Sequence, residues 1–166
     1  MTATPSITIR PAVREDVPLV LAFIRELAEY ERLAHEVQAD EAGLAVQLFG
    51  TRPAADVLIA EVDGEPAGFA LFFHNFSTFL GKPGLYLEDL FVRPQFRGLG
   101  LGKRLMARLA RVAVERGCGR FEWSVLDWNA PAIAFYRTLG AMGMDEWTVQ
   151  RVTGDALQAL AAQSAE

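Results

Sequence analysis

Between an apolar run and a cationic one the chain places Arg97-Gly98-Leu99-Gly100-Leu101-Gly102, and no other stretch restricts its fold so tightly. Ahead of it, LYLEDLFV (85–92) is rich in β-formers; behind it, residues 101–116 repeat apolar side chains at helical spacing. Three glycines at alternate positions, opening a helix, leave several backbone N–H groups uncovered by side chains. Those N–H groups and the positive end of the helix dipole form a seat for a phosphate. Strand, bare loop and helix in that order imply an α/β protein that handles a phosphorylated ligand.

Two familiar phosphate loops are excluded. A Walker loop reads GxxxxGK[ST], yet Arg97 stands where its first glycine belongs and Arg104 follows Lys103, so no hydroxyl is placed to hold magnesium. The dinucleotide fingerprint GxGxxG is not met by glycines at 98, 100 and 102, and no early βαβ unit precedes them. What remains is RxxGxG, from Arg97 to Gly102.

Composition narrows the class further. A chain of 166 residues suits one domain, 1–166, and with 51% hydrophobic residues disorder is excluded. The net charge of −5 argues against a nucleic-acid binder. Positive charge is local instead, with Arg93, Arg97, Lys103, Arg104, Arg108 and Arg111 around the glycine loop. A single cysteine, Cys118, excludes an internal disulfide and suits a reducing compartment. The opening MTATPSITIR lacks an apolar core of signal-peptide length, and no apolar run approaches the roughly 20 residues that span a bilayer. A cytoplasmic protein without membrane or nucleic-acid partners is expected. His35 and His74 give no metal-site spacing, so no metal is expected.

Periodicity and turn residues divide the chain. SITIR (6–10) reads as a strand, and after Asp16, a good N-cap, apolar residues at 17, 20, 21, 24, 27 and 28 mark an amphipathic helix. A short helix near 40–49 is closed by Gly50 and Pro53, and strand 56–62 turns at Asp63-Gly64 into strand 66–74. Residues 75–84 read as a loop, 85–92 as a strand, 101–116 as a helix and 121–127 as a strand. Helix 131–138 follows Asn129, then a last strand 143–151 and a terminal helix 153–163. The order β-α-α-β-β-β-α-β-α-β describes an α/β sandwich with hairpins first and a crossover later.

Loop and order together resemble the GNAT superfamily of N-acetyltransferases. Within it, ELAEYE (26–31), LYLEDLFV (85–92), FRGLGLG (96–102), VLDWN (125–129) and FYRTLGA (135–141) look like the diamine (spermidine/spermine) and thialysine N-epsilon-acetyltransferase group. The resemblance implies a mixed central sheet with a splayed, bulged strand, acetyl-CoA as co-substrate and the primary amine of a small molecule as acceptor. It also implies a homodimer, with Phe76 and Phe79 crossing to the partner. Leu90, Phe91 and Val92 would pair with the pantetheine arm through their main chain. Arg97, Gly98, Leu99, Gly100, Leu101, Gly102 and Lys103 would hold the pyrophosphate. Asn129, Ala130, Pro131 and Ala132 would contact the cofactor from the other side, although Asn129 also fits a plain helix N-cap.

For catalysis the resemblance implies Glu88, which binds the ammonium and passes on its proton, and Tyr136, which protonates the departing thiolate. Substrate contacts carried over are Tyr30, Glu31, Ser77, Thr78, Glu88, Asp89, Glu122, Trp123 and Ser124. Strand alternation turns Asp89 away from Glu88, toward the channel of a partner subunit. Acidic residues at 26, 29, 31 and 36 form a mouth that draws cations. The stretch between Gly140 and Trp147 is shorter than in polyamine enzymes, which favours a small acceptor. Two alternatives stay open: acetylation of proteins or peptides, and a silent acyl-CoA sensor that keeps only the cofactor seat.

Overall fold

The computed structural model describes residues 3–164. The elements are β1 (Ile7–Pro11), α1 (Val17–Tyr30), α2 (Glu41–Phe49), β2 (Asp56–Val62), β3 (Glu65–Ser77), β4 (Lys82–Val92), α3 (Leu101–Glu115), β5 (Arg120–Trp123), α4 (Ala130–Thr138) and α5 (Gly154–Ala161). Short 3-10 turns precede α1, α2 and α3. The strands form one sheet in the order β1-β2-β3-β4-β5. Neighbours run antiparallel except β4 and β5, which are parallel and joined through α3. The chain divides into two compact units, one ending at Leu126 and the other beginning at Asp127.

Burial along β2 explains the layering. Val57, Leu58, Ile59 and Ala60 are buried in succession. Alternating side chains point to opposite faces, so a continuous buried run means that both faces are covered. On one face Val20, Phe23, Leu48, Val57, Ile59, Phe69 and Phe91 join α1 and α2 to the sheet, with Phe23 stacked on Phe69 at 5.1 Å. The other face receives α3, whose buried Leu101, Leu105, Met106, Leu109 and Ala113 form a stripe at helical spacing. Lys103, Arg104, Arg108 and Arg111 take the exposed side of that helix.

Three expectations require correction. Asp16 does not cap α1 through its side chain. Its carboxylate accepts two hydrogen bonds from the Arg10 guanidinium and one from the Val13 N–H, and the Arg10 contact holds it below the usual carboxylate range. Residues 75–84 are largely strand: the β3–β4 hairpin continues through Asn75–Gly84, Phe76–Pro83 and Ser77–Lys82. Glycine and proline made this stretch read as a loop, but Gly84 lies inside the ladder, where an added Cβ would meet Asn75 Oδ1 unless that side chain moved. Finally, no strand is assigned at 143–151 among the described residues, and α5 begins at Gly154. Met144, Trp147 and Val149 lie exposed along it, so its apolar residues lack the neighbour that turns β-propensity into a strand.

Replacing Gly84 by alanine should lower the unfolding free energy by about 1–3 kcal/mol, the scale of overpacking in a tight site. An unchanged urea midpoint would show instead that Asn75 yields without cost.

Candidate active site

The first structural element of the site is a gap in the sheet. β5 pairs with β4 only from Gly84 to Leu87, while β4 runs on to Val92 with β3 alone beside it. Across that remaining ladder Phe72 faces Leu87 and Leu71 faces Asp89, so Glu88 is the extra residue of a β-bulge. The strand is bulged, as expected, and its pairing with β5 stops at Leu87. Along Leu90 to Val92 the side away from β3 is free of β5. One of its carbonyls is already engaged, since Arg97 Nε donates to Val92 O at 3.2 Å.

The second element is the glycine loop that follows. Gly98 and Gly100 adopt φ values of 84° and 77°, in the left-handed region that glycine enters without strain, and a Cβ at either would meet open space. Gly100 is the N-cap of α3 and offers no side chain to its amides. Arg104 N donates to Gly100 O at 3.0 Å as the helix begins, so the N–H groups of Leu101, Gly102 and Lys103 have no intrahelical acceptor. The Leu101 side chain is core, which leaves only its main chain for a ligand. The first turn carries no acid, while Lys103 and Arg104 are exposed there. This donor set fits a diphosphate.

Arg97 folds back on the protein, its guanidinium 5.3 Å from the Tyr30 ring centre. Arg93 is wholly engaged: it makes a two-pronged contact with Glu26 at 3.0 and 2.9 Å, donates to Pro66 O at 3.0 Å, and lies 4.7 Å over the Phe23 ring. Arg111 pairs with Glu115. The local positive charge left for a ligand is therefore smaller than the arginine count implies. By the same pairing Glu26 drops out of the acidic mouth.

The third element is a group of carboxylates. Asp89 is half-buried on β4, and burial, together with the negative charges of Glu88 and Glu31, pushes its carboxyl up to about 6. Glu31, at the C-cap of α1, is also raised by burial. Asp89, expected to turn away from Glu88, thus feels two acids of its own chain, Glu88 beside it at the bulge and Glu31 from α1. Sequence reasoning assigned the proton chemistry to Glu88 and passed over the Asp89 environment; ELAEYE and YLED contained both acids but gave no sign that they meet.

The remaining expected residues are dispersed. Ser77 is buried, and its Oγ accepts a hydrogen bond from Leu80 N, so it shapes the hairpin tip beside Thr78. That tip lies about 20 Å along the ladder from Asp89, at the usual rise per strand residue. Glu122 is paired with Arg120 at 2.7 Å and lies 3.5 Å from Asn75 Nδ2. Trp123 packs on Phe121 at 4.9 Å, and Ser124 Oγ is 2.7 Å from the Tyr86 hydroxyl, a partner that sequence reading missed. In the second unit Asn129 Oδ1 accepts from Ala132 N at 3.4 Å, so Asn129 is the N-cap of α4, with Ala130, Pro131 and Ala132 in its first turn. Tyr136 is half-buried on that helix, its ring 5.6 Å from Phe135.

A bare pyrophosphate-type loop after a splayed strand agrees with what comparison with known proteins finds. Residues 21–141 match the model of the acetyltransferase (GNAT) family. The chain belongs to that family. GNAT membership makes it an acetyl-CoA-dependent N-acetyltransferase. It is 40% identical to a thialysine N-epsilon-acetyltransferase of Sus scrofa, over 94% of this chain and 98% of that one. Against an L-ornithine N5-acetyltransferase of Arabidopsis thaliana the identity is 38%, over 92% and 86%. Among solved structures, an integron cassette protein from the V. cholerae mobile metagenome superposes with a TM-score of 0.79 at 30% identity, covering 96% and 99%. An aminoglycoside N-acetyltransferase in complex with CoA gives 0.73 at 18% identity, covering 92% and 98%, a likeness of fold alone.

Two outcomes are expected for this GNAT protein. Gly100→Val should weaken acetyl-CoA binding by roughly tenfold in calorimetry, because a branched residue at positive φ is strained by about 1–2 kcal/mol, while open space around it leaves the core intact. Asp89→Asn should raise the melting temperature above pH 6, with the gain shrinking as pH falls through about 6 toward 3.8. The sign follows from the raised native pKa, since a group that holds its proton more tightly when folded penalises folding once it ionises.

Proposed function

We propose that this enzyme acetylates the terminal primary amine of a small basic molecule, of the kind named in its relatives: thialysine, ornithine or a short diamine. The observation that carries this reading is the meeting of Glu31, Glu88 and Asp89 at the bulge of β4, directly before the open glycine loop. Two half-buried acids, Glu31 and Asp89, beside the exposed Glu88 suit a compact cation, whereas a neutral or anionic acceptor would leave them uncompensated.

Residues 1–166 act as one catalytic domain in this reading. The main chain of Leu90, Phe91 and Val92, the amides of Gly98 to Lys103, and the first turn of α4 from Asn129 to Ala132 would hold acetyl-CoA. When bound, it supplies the thioester that a neutral amine attacks. An alkylammonium of pKa near ~10.4 is neutral in only on the order of one molecule in a thousand at pH 7, so its proton must be drawn off. Asp89, at about 6, is ionised at neutral pH yet closer to it than an ordinary aspartate, which suits it to hold the ammonium and accept its proton through water beside Glu88. Tyr136 would return a proton to the leaving sulfur through its phenol O–H.

We further propose a cytoplasmic homodimer joined through the β3–β4 hairpin tips, where Phe76, Phe79 and Leu80 stand exposed and Phe79 is 101% accessible. Light scattering on wild type and Phe79→Ser would test that association.

Release of free thiol from acetyl-CoA, measured across thialysine, ornithine, lysine, putrescine, spermidine and lysine-containing peptides, tests the acceptor. Turnover with the small amines supports the reading; turnover with peptides alone would replace it, and none with any acceptor would favour a silent sensor. Tyr136→Phe should lower kcat by more than about tenfold with cofactor affinity nearly unchanged, the usual weight of a positioned proton donor. Equal loss of both would give Tyr136 a packing role.

A further inference from the structure

We propose that Arg93 is a positioning residue for acetyl transfer, setting the cofactor loop and the acceptor-side end of α1 in register. The inference rests on the functional reading above and adds a side chain that touches neither substrate. Its basis is the number and direction of the contacts Arg93 makes at the point where β4 leaves the sheet.

Beyond Leu87 the strand has lost β5, and beyond Val92 it has lost the ladder altogether. A strand end held from one side frays, yet the amides of a phosphate seat must keep their places to a few tenths of an ångström. Arg93 stands at that exit and is held from several directions. Its N–H donates to Ala67 O at 2.8 Å, and Nη1 donates to Pro66 O at 3.0 Å, which fastens the chain to β3 past the last ladder pair. Nε and Nη2 reach Glu26 on α1, and the planar group covers Phe23, a fully buried core ring. A lysine has neither the fork nor the flat face to reproduce this set.

The grip extends to the acceptor side through α1. Glu26 lies one helical turn before Tyr30, and Glu31 follows at the C-cap. Tyr30 lies beneath Arg97 of the glycine loop, and Glu31 acts electrostatically on Asp89. One guanidinium thus fixes, on its two sides, the strand that becomes the cofactor loop and the helix turn that faces the acceptor acids. The Arg93 side chain keeps 22% of its surface accessible and Glu26 35%, so the pair is shielded enough for its geometry to matter and wet enough to avoid the full desolvation cost of a buried pair.

The test compares wild type with Arg93→Gln, Arg93→Lys and Glu26→Gln, measuring the acetyl-CoA dissociation constant by calorimetry, KM for both substrates, kcat, and the melting temperature. The variants should bind acetyl-CoA roughly tenfold more weakly and raise both KM values, while kcat at saturation falls less, as for displacement of a seat by a fraction of an ångström. Arg93→Lys should recover little, and Arg93→Gln combined with Glu26→Gln should be no worse than Arg93→Gln alone, because both dismantle one clamp. Folded variants with a lowered melting temperature but a dissociation constant within about twofold of wild type would overturn the proposal, leaving Arg93 a stability residue only. Should Arg93→Gln fail to fold, Arg93→Lys and Glu26→Gln decide by the same criterion. Wild type that gave no heat with acetyl-CoA would remove the functional reading itself; wild-type binding with unaltered variants would remove only the role of Arg93.

Discussion

The parallel pairing of β4 with β5 stops at Leu87 and Trp123, and the proposed chemistry is arranged around that stop. A strand with one neighbour has spare main-chain groups on its other side, and the bulge at Glu88 turns the strand as it enters this stretch. The five residues from Glu88 to Val92 therefore carry two of the three acids of the proposed acceptor site and the main chain proposed to meet the cofactor. Had β5 continued, those groups would have been spent on the sheet. The fold supports such an opening because its rigidity lies elsewhere, in the doubly covered β2 and β3 and the Phe23–Phe69 stack.

Electrostatics divides the same region. On the loop side, donors come from main-chain amides and the end of a helix, with Arg93 and Arg97 committed to folding contacts. On the α1 side, acids are gathered where burial makes their charge costly, and Asp89 carries the largest share of that cost. The Tyr30–Arg97 stack stands between the two regions. An arrangement that accumulates like charge in a half-buried place is maintained against stability, which is the usual mark of a site that awaits an opposite charge.

Much of this was legible in the sequence. Strand, glycine loop and helix announced themselves because glycine spacing and apolar period are local signals, and Asp63-Gly64 marked its hairpin for the same reason. The bases of the missed features are not local. Asn75 opposite Gly84 makes a ladder out of a stretch rich in loop residues, a fact that only pairing reveals. Residues 143–151 carry β-propensity without a neighbour, and propensity alone does not make a strand. Glu31 and Asp89 are 58 positions apart, so their mutual repulsion is invisible until α1 is laid on the sheet. Arg93 and Glu26 escaped for the same reason, being read as separate members of a basic and an acidic patch.

The loop from Gly98 to Lys103 would offer a ligand peptide N–H groups, which almost every amino acid possesses, and requires particular side chains mainly where φ is positive. The proposed acceptor side would depend instead on the identity of a few acids at Glu31, Glu88 and Asp89. These two halves respond differently to random substitution over generations. On the proposed assignment the nucleotide grip would tolerate drift, whereas a single exchange among the carboxylates would change which amine is welcome. A lineage built on this plan can diversify its acceptors while its donor stays the same.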